Sequence, residues 1–121
     1  MKPNRIIVAG SRGFNDYSLL DRKLTHLLSK QDVEDVEIVS GGARGADKLG
    51  EAWAERHGYG FTVFPADWDR LGKRAGYLRN QQMAEYATHL VAFWDGVSKG
   101  TAHMIDLARK KGLKVVVVSF D

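Results

Sequence analysis

The chain has 121 residues, a formal charge of +3, 44% hydrophobic and 27% charged residues, and no cysteine. That length suits a single domain over residues 1–121 and is too short for two sizeable cores. The lack of cysteine excludes a disulfide framework, a thiol nucleophile and a thiolate metal site. No apolar run approaches the roughly 20 residues of a membrane span. Met1 to Arg5 lead directly into a strand-like run with no room for a signal peptide, so a cytoplasmic protein is the expectation.

The predicted elements follow one another without a linker, repeat or low-complexity tract. Arg5–Ala9 reads as a buried strand ended by Gly10-Ser11-Arg12-Gly13. Asp16 is set to cap a helix that places Leu20, Leu24, Leu27 and Leu28 on one face. Val36–Ser40 is the second strand, closed by Gly41-Gly42-Ala43-Arg44-Gly45. A helix from about Ala46 to His57 follows, with Leu49 and Trp53 inward and Gly58 as its stop. Phe61–Phe64 is the third strand, and Pro65 ends it. Ala66–Gly72 reads as a polar, aromatic loop, Lys73–Ala87 as the third helix, and His89–Trp94 as the fourth strand. Asp95–Gly100 forms another glycine-bearing loop, Thr101–Lys111 a fourth helix stopped by Gly112, and Leu113–Val118 a fifth strand. Continuous apolar strands imply burial on both faces. Their alternation with helices predicts a Rossmann-like three-layer α/β/α sandwich around a parallel sheet of about five strands.

In such sheets ligands bind beyond the carboxyl ends of the strands. The three glycine-bearing loops would all lie at that edge, each opening a helix, where free N–H groups and the helix dipole favour an anion. Gly10, Ser11, Gly41, Gly42, Gly45, Ser98, Gly100 and Thr101 are the candidate phosphate contacts, and Arg12, Arg44 and Lys99 sit within the loops to add charge. The competing reading makes the glycines tight turns and the bases solvated. None of the loops is a P-loop or a first-strand dinucleotide fingerprint, which argues against a P-loop NTPase or a dehydrogenase.

These stretches, with Pro65-Ala66-Asp67-Trp68 and Gly76-Tyr77-Leu78-Arg79-Asn80-Gln81-Gln82-Met83, resemble the SLOG superfamily, and most nearly its small YspA-like branch. The superfamily groups DprA-type DNA-processing proteins with LOG-type phosphoribohydrolases. The resemblance implies loops that hold a nucleotide or a nucleotide-derived signal. LOG enzymes cleave an N-glycosidic bond with the arginine of R-K-x-x-M and the glutamate of P-G-G-x-G-T-x-x-E. Arg79 and Met83 match the first motif with Asn80 in place of lysine. Gly100 and Thr101 match the second, but Met104 stands at the glutamate position.

A methionine cannot activate water or stabilise an oxocarbenium-like charge. The remaining carboxylates near this edge are Asp47, Asp67, Asp69 and Asp95. Asp47 and Asp95, with Arg79, are the candidates for any catalytic role. Asp47 could equally cap its helix, and Asp67 could bind ribose or shape a turn. Arg79 either reaches a phosphate or pairs with Glu85, and Asn80 belongs with it in the ligand set. Trp68 is a candidate for stacking on a base; Trp53 and Trp94 read as core, and Tyr77 and Tyr86 fit core or interface alike. The four histidines have no metal-ligand spacing, so neither a metal nor a cofactor is expected.

The expected function is therefore binding of a nucleotide or nucleotide-derived phosphate, as a sensor or binding module. An N-glycosidase acting on a nucleoside monophosphate is the alternative, and DprA-like single-strand DNA binding the second alternative. Nucleic acid is the less favoured partner because acids and bases interleave, as in Asp21-Arg22-Lys23, instead of forming a basic stripe. No membrane partner is expected. A homodimer is expected by analogy with LOG-type relatives alone.

Overall fold

The computed structural model describes residues 4–29 and 35–120. The lead-in Met1–Pro3, on which the signal-peptide expectation partly rests, lies outside them. Five strands, β1 (Asn4–Gly10), β2 (Val36–Ser40), β3 (Gly60–Val63), β4 (His89–Trp94) and β5 (Lys114–Ser119), form one parallel sheet in the order β3-β2-β1-β4-β5. The helices are α1 (Tyr17–Ser29), α2 (Ala46–His57), α3 (Trp68–Leu71), α4 (Arg74–Tyr86) and α5 (Lys99–Lys110).

Strand alternation sorts the core into two layers. Ile6, Val8, Ile38, Val91 and Phe93 point to one face, where they pack with Leu20, Leu24, Leu28, Trp53 and Ala54 of α1 and α2. Ile7, Ala9, Val39, Leu90 and Ala92 point to the other, against Met83 and Ala84 of α4 and Met104, Ile105 and Ala108 of α5. The result is the expected Rossmann-like α/β/α arrangement. Local signals act where they were read. Asp16 Oδ1 accepts from the Leu19 N–H at 3.0 Å and caps α1. Gly58 ends α2 in the left-handed region at φ 76°.

Two expectations need correction. The stretch read as an uninterrupted loop, Ala66–Gly72, contains the helical turn α3, because Asp67 caps it by accepting from the Arg70 N–H at 3.3 Å. The fifth strand is not buried on both faces. As edge strands, β5 exposes Lys114, Val116 and Ser119 and β3 exposes Gly60 and Val63, whereas Ile6–Ala9 of β1 and His89–Phe93 of β4, flanked on both sides, are buried. No helix among the described residues is long and apolar enough to cross a membrane.

Candidate functional site

The sheet order turns back between β1 and β4: the chain moves outward from β1 through β2 to β3, then returns to β4 on the other side. At a parallel sheet's reversal the loops diverge and leave a crevice beyond the strand ends. A cavity of 280 Å³ occupies that place. The β1 loop contributes Gly10 and Arg12, the β2 loop Ala43, and α2 Asp47. Trp68 and Lys73 come from around α3. Gly76, Tyr77, Arg79, Asn80 and Met83 come from α4, and Ser98, Gly100, Thr101 and Met104 from the β4 loop and α5.

Of the residues singled out in the sequence, Gly10, Arg12, Asp47, Arg79, Asn80, Ser98, Gly100 and Thr101 line this cavity together. Ser11, Gly41, Gly42, Arg44, Gly45 and Lys99 do not, and Asp67 lines a separate depression with Arg70 and Gln81. Several of the absent residues have defined structural work. Ser11 is buried, and its Oγ accepts from the Asp95 N–H at 3.3 Å, latching the β1 loop to the β4 loop. Gly45 has φ 82°, and a Cβ there would stand 2.5 Å from the Ser11 carbonyl oxygen, so only glycine lets the β1 and β2 loops meet.

The loops also consume their own amides. In the β2 loop the Gly42 N–H donates to Ser40 Oγ at 3.0 Å and the Ala43 N–H to Asp47 Oδ2 at 3.3 Å. Ser40 Oγ in turn donates to Glu51 Oε2 at 2.6 Å. In the β4 loop Asp95 Oδ1 accepts from the Val97 and Ser98 N–H groups at 2.9 and 2.8 Å. Those bonds hold the exposed Asp95 carboxyl below its ordinary value, and Asp95 is absent from the cavity wall. The sequence could not reveal this, since a glycine-rich loop looks the same whether its amides face a ligand or a neighbouring carboxylate.

Arg79 is the most constrained cation. Its Nη1 donates to the Gly41 carbonyl at 2.6 Å and its Nε to Asn80 Oδ1 at 3.1 Å. The Glu85 pairing weighed for it does not form; Glu85 meets Lys111 at 3.7 Å. Burial, and then the nearby Arg12 charge, lower the Arg79 pKa, while Asp47 raises it. Asn80 is buried and uses both ends of its amide. With Oδ1 taken by Arg79, Nδ2 faces the Gly100 carbonyl at 3.3 Å and His103 Nδ1 at 3.2 Å. His103 Nδ1 is therefore the acceptor and its ring proton sits on Nε2. Burial keeps that ring below its usual pKa.

Among the described residues, Asp47 is the only carboxylate on the cavity wall. It has no capping bond to the start of α2, whose N-cap is Gly45. Burial raises its carboxyl to about 6, against the lowering influence of the Ala43 N–H and of Arg79. Asp47 and Arg79 converge over Gly41: a Cβ there would lie 2.6 Å from Arg79 Nη1 and 2.9 Å from Asp47 Oδ2. Met104 is buried in the cavity wall and brings a thioether to the position where the LOG motif has a carboxylate. Sequence reasoning missed Lys73 as a lining cation. Nothing in its local pattern separates it from a solvated lysine. No cluster of three potential metal ligands occurs among the described residues.

The profile of the YAcAr family, described as the YspA, cpYpsA-related SLOG family, matches residues 4–71. The chain belongs to that family. The match spans β1 to α3 and so includes Arg12 and Asp47; Arg79 and the α5 residues lie beyond it. The chain is 37% identical over 118 residues to the Gene 61 protein of Mycobacterium phage D29, covering 93% of this chain and 94% of the phage protein. It is also similar in fold to DNA processing protein A (DprA) from Streptococcus pneumoniae. That match has a TM-score of 0.77 and 18% identity, and covers 98% of this chain but 51% of DprA. The chain thus spans about half the length of that protein, and the likeness is one of fold.

Proposed function

We propose that this SLOG-family protein binds a nucleotide or nucleotide-derived phosphate in the cavity between β1 and β4, as a binding or sensing module. The observation that carries the reading is the charge of the wall: Arg12, Lys73 and Arg79 face one carboxylate, Asp47, which burial inclines toward its neutral form. Such a site is short of negative charge, and a phosphate dianion would supply it. The first turn of α5, with Gly100 and Thr101 on the wall, adds N–H groups that have no partner within the helix.

The test is a thermal-shift panel of nucleoside mono-, di- and triphosphates, ADP-ribose and cyclic nucleotides on the unaltered protein and on Arg79→Ala. A ligand at about 100 times its dissociation constant adds roughly 2.7 kcal/mol, a shift of several degrees for a domain of this size. The expected result is a shift that disappears in Arg79→Ala. A panel without any shift refutes the reading.

One observation favours a second reading, slow N-glycoside hydrolysis. Asp47, buried beside Arg79 with its carboxyl raised to about 6, has the proton affinity of a general acid or base at neutral pH. Release of free base from a nucleoside monophosphate, abolished in Asp47→Asn, would establish turnover. Binding without base release leaves the sensor reading.

A further inference from the structure

We infer that Trp68 and Tyr77 form the seat for a planar heteroaromatic ring, which makes the ligand of this cavity a nucleoside monophosphate gripped by its base as well as its phosphate. The inference rests on the anion-binding reading above and supplies the other half of the ligand.

The three tryptophans of the chain differ in one respect. Trp53 is buried and its Nε1 donates to Asp21 at 2.8 Å; Trp94 is half-buried and donates to the Ser98 carbonyl at 3.0 Å. Trp68 is 49% exposed, lines the cavity, and has no hydrogen-bond partner for its indole N–H among the described residues. A large ring left half in water beside a cavity, with a free donor at its edge, is the usual anatomy of a stacking platform. The ring is nonetheless held in place. Its backbone opens α3, which Asp67 caps, and the indole lies along α4 at Gly76. A Cβ on residue 76 would come within 3.0 Å of Trp68 Cη2, so glycine there leaves the indole its resting place. Tyr77, one residue on, is 52% exposed on the same cavity. Its ring stands edge-on to His103, with centroids 4.5 Å apart at 78°, which fixes its direction.

The aromatic rings come from α3 and the start of α4, the stretch that also carries Lys73 and Arg79; Arg12 comes from the β1 loop and the Gly100–Thr101 turn from the start of α5. Arg79 lies one helical turn beyond Gly76. A ligand that satisfies both walls has a flat apolar ring at one end and an anion at the other. A volume of 280 Å³ lies at the small end for a ligand site, which suits a ligand the size of one nucleotide.

The test compares AMP, GMP, CMP and UMP with ribose 5-phosphate and inorganic phosphate by titration calorimetry, using the unaltered protein, Trp68→Ala and Trp68→Phe. The expected result is that the best nucleotide binds at least about ten-fold more tightly than ribose 5-phosphate, as one base stacked on an aromatic ring provides. In Trp68→Ala that margin should collapse to within about two-fold, and in Trp68→Phe most of it should return. Equal affinity of the unaltered protein for ribose 5-phosphate and every nucleotide would overturn the base seat while leaving the anion site standing. So would a parallel loss of both ligands in Trp68→Ala. Failure of the unaltered protein to bind any of the six compounds would overturn both. Melting curves of the variants establish that they fold, as the exposure of Trp68 leads one to expect.

Discussion

Replacing Asp47 with asparagine should stabilise the protein increasingly as the pH rises. Burial lifts the Asp47 carboxyl from 3.8 to about 6 in the folded state. At about 1.4 kcal/mol for each pH unit, the ionised carboxylate costs the fold about 3 kcal/mol once the pH exceeds both values. The sign follows from the direction of the shift. A carboxyl raised on folding stabilises fully below 3.8, and that contribution fades as the pH climbs through about 6. Asparagine has nearly the same shape, keeps an oxygen to accept the Ala43 N–H, and does not titrate. The assay is a pair of melting curves, unaltered and Asp47→Asn, at about pH 4 and about pH 8, so that every other titrating group cancels between them. The unfolded carboxyl is already about half ionised at pH 4, so a little over about 2 kcal/mol of that cost falls between the two pH values. The difference in Tm, variant minus unaltered, should therefore rise by about 7 °C, taking about 3 °C per kcal/mol for a chain of this length. A difference that stays flat, or that falls as the pH rises, would refute the argument. It would mean that Arg79 and the β2-loop amides outweigh the desolvation of the carboxylate.

Arg79→Ala, which removes the bonds to the Gly41 carbonyl and Asn80, should cost about 1–2 kcal/mol of stability in urea unfolding; Arg79→Lys should restore little of any nucleotide binding seen by calorimetry, because an ammonium cannot reproduce the guanidinium fork. Gly45→Ala forces a left-handed φ and a 2.5 Å approach to the Ser11 carbonyl, so its urea midpoint should fall by the equivalent of about 2 kcal/mol or more with an unchanged slope. Trp53→Phe loses the bond to Asp21 and leaves space in the α2 face of the core, for a cost of about 1–2 kcal/mol by the same measurement.

The elements of this fold were legible wherever one local rule governed them. β4 runs from His89 to Trp94 and α2 from Ala46 to His57, as hydrophobic period and a terminal glycine require. The edge strands were harder. Lys114–Ser119 has the composition of a buried strand, but its exposure depends on having no neighbour beyond it, which is a property of sheet order. Trp68–Leu71 was missed as a helix because a single turn has too few residues to show a period; the signal available was Asp67 as a cap. Within the site, Arg79 and Asp47 were legible as charged residues near the right sheet edge. Their convergence over Gly41 is a contact between residues 32 apart in the chain and was not. Lys73 and Met104 reach the same wall only through the packing of α4 and α5.

The amide count of the loops bears on what kind of anion site the proposed one would be. Where backbone N–H groups cradle a phosphate, the loop must leave them unpaired. Here the Gly42 and Ala43 amides are held by Ser40 and Asp47, and the Val97 and Ser98 amides by Asp95. The β2 and β4 loops are thus braced by their own side chains and keep their shape without a ligand. With those four amides spent, the proposed attraction for a phosphate would rest chiefly on side-chain cations and on the first turn of α5. On that proposal the cations would matter more to binding than the glycines. Gly41 and Gly45 let the loops approach one another and leave room for Arg79, while Arg12, Lys73 and Arg79 set the charge of the cavity. Asp47 joins the two roles, since its carboxylate braces the β2 loop and also faces the same guanidinium. A ligand anion arriving beside Arg79 would repel the charge on Asp47 and raise its pKa further, so ligand binding and proton uptake at Asp47 would be coupled in the same direction.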